Sequence, residues 1–321
     1  MIKTSFFFTL GVLYSFSSYA SAPNKDFDKW VNYFTQEARL HNITEDTLST
    51  FKEKATYLPQ VIKFDRNQPH ATTSFRSYLD KIVPQSRADK AKKKIAKHWK
   101  ILEEVEKKFG VQKRFIVALW AIESNFGTNM GSFNIPSALA TLSYEGRRAE
   151  LFKKELLHAL TIIDHKHISY DSMKGSWAGA MGQTQFMPSS FLDYAIDYNG
   201  NQKTNIWEEP EDVFASIANF LSKKGWDSKF TWGREVKIPT DLDKKLIGKE
   251  TTKKLSEWDQ LGIRKASGAQ LSLTHDINAS LVEVNKEHYF LIYDNYKTLL
   301  KWNRSLYFAS AVGILADKIN R

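Results

Sequence analysis

Among the acids of this chain, Glu123 is the one whose setting most suits chemistry. It lies near the C-terminal end of residues 111–130, V-Q-K-R-F-I-V-A-L-W-A-I-E-S-N-F-G-T-N-M, which read as a nearly unbroken apolar helix. Ile116, Leu119 and Trp120 stand seven, four and three residues before it and share its face. Ser124, Asn125 and Gly127 then stop the helix. Apolar neighbours disfavour the charged carboxylate by desolvation, and the negative end of the helix dipole acts in the same direction. Both effects raise the pKa, and a carboxyl group held protonated near neutral pH is what a general acid requires. A lone Glu at a helix end more often simply reaches solvent, so the reading needs support from elsewhere in the chain.

Two further stretches offer it. Residues 175–190, G-S-W-A-G-A-M-G-Q-T-Q-F-M-P-S-S, hold three glycines in eight positions, which lets the backbone approach something closely. The Walker lysine is missing, so this is not a phosphate cradle. Gln183 and Gln185 offer amide hydrogen bonds, which suit hydroxyl and acetamido groups better than charges. A purely structural tight turn fits the spacing equally well. In residues 197–212, Asp197, Asn199 and Asn201 alternate as oxygen ligands do in a calcium loop, with Lys203 placed to give its backbone carbonyl. Gly200 stands two positions early for an EF-hand, and the closing acid could be Glu208 or Asp212. So few carboxylates imply weak affinity, and a polar turn between helices is the plainer alternative.

The elements that must position these groups are mostly helical. Periodicity predicts helices over residues 26–40, from Thr44 as N-cap, around Tyr78 up to Pro84, over 87–108 with Ile95, Trp99, Leu102 and Val105 inward, over 137–142, over 147–163, over 210–223 and over 306–319. Residues 57–68 read as a loop. A strand near 235–238, helical pieces around 252–261 and a hairpin over 281–293, turning at 285–287, supply the β content. The lysine cluster from Lys90 to Lys100 reads as a solvated helix face. Arg147 and Arg148 oppose the dipole of the helix they open, so they call for an anionic ligand or for acidic neighbours such as Glu145 and Glu150; the second is the simpler reading.

Composition narrows the setting. Residues 1–22 form a secretory signal peptide, with Lys3 as its charged start, an apolar run over 6–16 and Ala20-Ser21-Ala22 as the cleavage pattern. That run is too short for a permanent membrane span. The absence of cysteine excludes disulfides, thiolate chemistry and a lipid-modified N-terminal cysteine. A soluble exported protein is expected, with a mature part of roughly 300 residues and one catalytic body with subdomains. Lys and Arg exceed Asp and Glu by 46 to 36, a net +10, which suits an anionic polymer. Export argues against nucleic acid and leaves lipid headgroups or a cell-wall glycan.

The segments A-L-W-A-I-E-S-N-F-G-T-N-M-G, A-L-A-T-L-S-Y-E-G-R-R-A-E-L-F, G-S-W-A-G-A-M-G-Q-T-Q-F-M-P-S-S and N-F-L-S-K-K-G-W together resemble the membrane-bound lytic murein transglycosylase B family, in order and across the mature chain. The resemblance implies an α+β, predominantly α-helical fold: a lysozyme-like core, roughly residues 100–225 of a domain over 23–321, with a small β-sheet and helical subdomains around a deep groove. It implies cleavage of peptidoglycan glycan strands between N-acetylmuramic acid and N-acetylglucosamine, leaving 1,6-anhydromuramic ends. Position by position, Glu123 matches the catalytic acid/base. Ser176, Gln185 and Phe186 match glycan contacts, as do Asn303 and, at the matching spacing, Tyr78 and Tyr307. Asp197, Asn199, Asn201, Lys203 and Asp212 match a structural calcium loop, the one cofactor implied, with Asn201 where aspartate is usual. Leu151, Phe220 and Trp302 stand where tyrosine is common, so some sugar contacts are altered. No nucleic acid partner is implied. Membrane contact would be peripheral at most, and cell-wall synthesis or remodelling proteins are the conceivable protein partners. The location implied is the periplasm.

Glycosidases ordinarily use two carboxylates at a set separation. Here one acid stands among amides and hydroxyls, which suits a substrate that supplies its own second group. A water-adding muramidase using the same Glu, and a non-catalytic glycan binder, are the alternatives.

Overall fold

In a computed structural model of the chain, residues 25–67 and 73–320 are described. The expected signal peptide and its expected cleavage site near Ala22 lie outside the described residues.

The chain opens with α1 (Lys25–Arg39) and α2 (Glu45–Lys54), as periodicity predicts. Thr44 starts α2, but its hydroxyl makes no cap; it bonds Asp164 instead. The expected loop over 57–68 is largely a helix, α3 (Pro59–Arg66). Pro59 begins it where a missing N–H is harmless, and Val61, Ile62 and Asp65 turn inward. Phe64, 39% exposed, sits outside that stripe and blurs the apolar pattern that would have revealed the helix. After α4 (Phe75–Ile82), the single helix expected over 87–108 is two, α5 (Gln85–Lys97) and α6 (Trp99–Phe109). The break lies at His98, and Trp99, expected inward, is 49% exposed. The bend lets Ala88 and Ala91 of α5 and Leu102 and Val105 of α6 all be buried.

Next come α7 (Lys113–Ser124), β1 (Phe133–Asn134), α8 (Ile135–Glu145), α9 (Ala149–Asp164), β2 (Lys174–Gly175), α10 (Pro188–Tyr194) and α11 (Pro210–Lys223). The remainder is β3 (Gly233–Lys237), β4 (Thr252–Lys254), α12 (Leu255–Gln260), β5 (Arg264–Lys265), β6 (Asn278–Asn285), β7 (His288–Ile292), α13 (Asp294–Trp302) and α14 (Leu306–Asn320). β6 and β7 form the expected hairpin.

Contacts divide the chain into two units, one of residues 73–118 with 220–320, the other of 25–67 with 119–219. In the second, α8 and α9 form the centre, with α1, α2, α3 and α10 packed against one or both. Every residue of α8 from Ile135 to Ser143 is buried, as suits a helix covered on all sides. A buried carboxylate fixes α3 here. Asp65, 3% exposed, accepts from Arg147 Nε at 2.8 Å and also pairs with Arg148, while Arg66 pairs with Glu145. The two arginines thus answer an acid far back in the chain.

In the first unit, five antiparallel strands run in the order β4-β6-β7-β3-β5. Val236, Trp258, Ile263, Leu281 and Leu291 belong to its apolar cluster. α14 packs on α4, α5 and α13. Trp232, 2% exposed, lies against α14 so closely that a Cβ on Gly313 would run into its indole ring. Its Nε1 donates to Asp317 Oδ2 at 3.0 Å, and Arg114 holds the other oxygen of Asp317 at 2.9 Å. Replacing an exposed mid-helix Gly by Ala stabilises by about 1 kcal/mol. For Gly313→Ala the overpacking outweighs that gain, and a net loss of about 1–3 kcal/mol is expected, read as a lower midpoint in urea unfolding.

Candidate active site

The last turn of α7 is buried almost throughout: Leu119, Ala121 and Ser124 are fully buried, and Trp120 and Ile122 nearly so. Glu123 is the half-buried exception. The helix therefore ends inside the core and offers one carboxyl group at the surface, not a solvated terminus. Asn125, Phe126 and Gly127 follow at φ 49°, 62° and 80°, three consecutive left-handed residues of which two carry side chains. Such a run costs about 1–2 kcal/mol per non-glycine residue and persists only where the surroundings dictate it. Here the Phe126 amide returns to Trp120 O at 3.3 Å, and the Gly127 amide donates to the buried Ser124 hydroxyl at 3.0 Å.

Trp120 is the anchor beneath that turn. Its Nε1 donates to Gln183 Oε1 at 2.7 Å, and its ring meets Phe126 and Phe214 edge-on, at 5.3 and 5.1 Å. Gln183 is 8% exposed; its Nε2 donates to Trp207 O at 2.8 Å and its backbone amide to Ile206 O at 2.8 Å. A Cβ on Gly127 would collide with the Gln183 side chain. The amide that composition offers to sugar hydroxyls is thus a structural latch between the Glu123 helix and residues 206–207. Sequence alone gives no means of telling its role from that of Gln185.

Gln185 is half-buried, at φ 51°, and its Nε2 donates to Gly182 O at 2.9 Å and Met130 O at 3.1 Å. The side chain fastens the loop after α7 and keeps its oxygen as an acceptor. Ser176 is also half-buried; its hydroxyl accepts from the Ala180 amide at 3.0 Å, which leaves its own proton to donate. The glycines act as the sequence suggests. A Cβ on Gly131 would strike the Gly175 carbonyl, and one on Gly175 would strike that of Ala180. Phe186, at 3% exposure, is a core residue whose carbonyl accepts from the Met181 amide, and it offers little ring surface to a sugar.

Glu123, Ser176, Gln185 and Phe186 belong to one unit, and Asn303, Tyr78 and Tyr307 to the other. Asn303, 8% exposed, accepts from the Ser305 amide at 3.0 Å in the turn from α13 to α14. Tyr78 and Tyr307 are half-buried with ring centroids 5.4 Å apart. Phe220 and Trp302, two positions where the resemblance leads one to expect tyrosine, are themselves in edge contact at 4.8 Å. The third, Leu151, is 40% exposed.

The 197–212 loop is closely knit. Asp197 accepts the amides of Gly200 at 2.8 Å and Gln202 at 2.8 Å, and Asn201 Oδ1 accepts that of Lys203 at 2.9 Å. Glu209, which the sequence reading did not single out, accepts from the side chains of Asn199, Asn201 and Asn205 at 2.5, 3.0 and 3.2 Å. Asp212 is fully buried, and its two oxygens hold the amides of Tyr198 and Asn205 at 2.8 and 2.7 Å. Burial raises its pKa. No group of three or more His, Asp or Glu placed to hold a metal occurs among the described residues. The donors of the loop are nonetheless oxygens throughout, which fits a hard cation such as calcium, with Glu209 a nearer companion to Asn199 and Asn201 than Glu208.

Gln183→Leu leaves the Trp120 N–H and the Trp207 carbonyl unpaired in the core. A loss of about 2–4 kcal/mol of stability is expected, measurable by chemical denaturation, together with a fall in turnover as the α7 terminus loosens.

The transglycosylase SLT domain model matches residues 26–317. Membrane-bound lytic murein transglycosylase B of Escherichia coli K12 is 32% identical over 217 residues, covering 66% of this chain but only 58% of that protein. SltB3 from Pseudomonas aeruginosa, solved in complex with NAG-anhNAM-pentapeptide and with NAG-NAM-pentapeptide, is 37% identical with a TM-score of 0.88, over 92% of this chain and 79% of that one. The E. coli lytic transglycosylase Slt35, solved in complex with calcium, is 27% identical with a TM-score of 0.78, over 91% and 92% of the two chains. The predominantly helical, lysozyme-like architecture with a small sheet is shared with these structures. This chain belongs to the SLT-domain transglycosylase family.

Proposed function

We propose that this protein is an exported, periplasmic lytic murein transglycosylase. It would cleave the β-1,4 bond between N-acetylmuramic acid and N-acetylglucosamine in peptidoglycan and leave a 1,6-anhydromuramic end. The observation that carries the reading is the end of α7, where one half-buried carboxyl group emerges from an otherwise buried turn locked by left-handed residues. The family match over residues 26–317 and the muropeptide complexes of SltB3 support it.

The chemistry needs one acid. Glu123 donates its proton to the glycosidic oxygen as the bond to the anomeric carbon breaks. The carbonyl oxygen of the muramic acetamido group bonds to that carbon from the opposite face, and the positive charge spreads over the resulting ring. Glu123, now a carboxylate, takes the proton of the sugar's own C6 hydroxyl. The C6 oxygen then closes on the anomeric carbon, the acetamido group is released, and the enzyme regains its proton. No water is consumed. The Ser176 hydroxyl donates to the acetamido oxygen and Gln185 accepts from a sugar hydroxyl, consistent with the roles their atoms have left over. A calcium ion would be held by Asp197, Asn199, Asn201 and the Lys203 carbonyl, with Glu209 in place of the expected Asp212, whose two oxygens hold backbone amides, and it would take no part in the reaction.

Replacing Glu123 by Gln keeps the shape and removes the transferable proton. Release of soluble muropeptides from purified sacculi should fall by about 100-fold or more, and mass spectrometry of wild-type digests should give products one water lighter than hydrolytic ones. Ordinary reducing ends would make the protein a hydrolytic muramidase, and substantial activity in Glu123→Gln would remove Glu123 from the acid role.

A further inference from the structure

Three aromatic rings lie together next to the Ser176 loop, and the proposed chemistry does not use them. Phe64 of α3 meets Phe133 of β1 edge-on at 6.1 Å and lies at 6.4 Å from Trp177, tilted by 31°. All three belong to the unit that holds Glu123. Phe64 is 39% exposed, and Phe133 and Trp177 are half-buried. Aromatic rings are among the side chains that gain most from burial, so an open cluster of three suggests surface kept for a ligand.

Its mounting is rigid. Phe133 pairs directly with Gly175 in the short β1–β2 ladder, and Trp177 follows Ser176 in the turn closed by the Ser176–Ala180 hydrogen bonds. Phe64 is followed by Asp65, which pairs with Arg147 and Arg148, and by Arg66, which pairs with Glu145. The ion pairs therefore hold the C-terminal end of α3, directly after the ring it presents. A buried acid bound by two arginines is an expensive fixture for an ordinary surface helix, but it is apt for one that must hold an aromatic face in register with a loop.

We infer that Phe64, Phe133 and Trp177 form a stacking platform for a pyranose ring of the glycan strand, a contact additional to Ser176 and Gln185. An N-acetylated sugar has an apolar face of C–H bonds and a polar rim. The platform supplies the matching apolar surface, and the Ser176 hydroxyl, next to Trp177 in the chain, supplies a polar group at its edge. The inference rests on the glycan reading above.

The test separates the two. The Glu123→Gln protein, which should bind without cleaving, is titrated with the N-acetylglucosamine tetramer while tryptophan fluorescence and calorimetry are followed. Added Phe64→Ala or Trp177→Ala should weaken binding about ten-fold, Phe64→Tyr and Trp177→Phe should restore most of it, and in the active enzyme the loss should fall on KM more than on kcat. Far-UV circular dichroism and the thermal midpoint check that each variant folds. If the parent binds the tetramer and the folded alanine variants bind it within two-fold, the rings are packing only and the platform is refuted. If the parent binds neither tetramer nor sacculi, the glycan reading falls, and the platform with it.

Discussion

The hydrogen bond from Trp120 Nε1 to Gln183 Oε1 is the constraint on which the site depends. It joins α7 to the glycine-rich loop, and the other end of the same amide joins that loop to the Trp207 carbonyl. Both bonds lie in the core, where no water competes and where an unmade bond costs more than in solvent. The geometry above them follows. Gly127 must be glycine because Gln183 fills the space a Cβ would need and because its own φ is 80°. Its amide then reaches the Ser124 hydroxyl, and the turn closes with Glu123 at the surface. An apolar core alone would let the end of α7 fray or rotate; the polar latch gives it one register.

The latch also connects the site to the 197–212 loop. Gln183 bonds the backbone of residues 206 and 207, and the segment just before them is fixed in turn. The Thr204 amide donates to His167 Nδ1 at 3.1 Å, and the Asn205 amide donates to buried Asp212. Burial lowers the pKa of His167, which favours the neutral imidazole that can accept that bond. The loop braced by Glu209 and its asparagine partners is therefore linked to the end of α7 through Ile206, Trp207 and Gln183, by hydrogen bonds of backbone and side chains alike.

The buried helix that ends at Glu123 and Ser124 was legible in the sequence because its signal is local: an apolar run, a single acid, then Ser, Asn and Gly within four residues. The hairpin of β6 and β7 was legible for the same reason, since alternation is a short-range pattern. What stayed hidden depends on distant partners. Gln183 and Gln185 are two residues apart, yet one is a buried latch and the other ties a surface loop, because Gln185 takes a left-handed φ of 51° that no glycine announces. Asp65 is the partner of Arg147 and Arg148 across more than 80 residues of chain, so adjacent acids seemed the better match. Phe186 resembles a glycan contact by motif but is enclosed by the fold. A motif fixes which residue stands at a position, whereas the packing decides which of its atoms remain available.

That availability also bears on how many acids the chemistry uses. A hydrolytic mechanism needs a second carboxylate free to hold water or to attack carbon. Among the described residues, the buried carboxylates of the unit that holds Glu123 are Asp65, Glu155 and Asp212. Asp65 is bound by two arginines, and Glu155 takes the Ser189 amide at 2.9 Å and hydroxyl at 2.7 Å at the start of α10. Asp212 holds two backbone amides. Each would have to give up structural bonds to act as a base, at a cost of about 1–3 kcal/mol for every donor left unpaired. A reaction that draws its second functional group from the substrate avoids that cost. In the proposed reaction the acetamido oxygen and the C6 hydroxyl would both be carried by the muramic sugar, so a single acid, working in turn as donor and acceptor, would suffice.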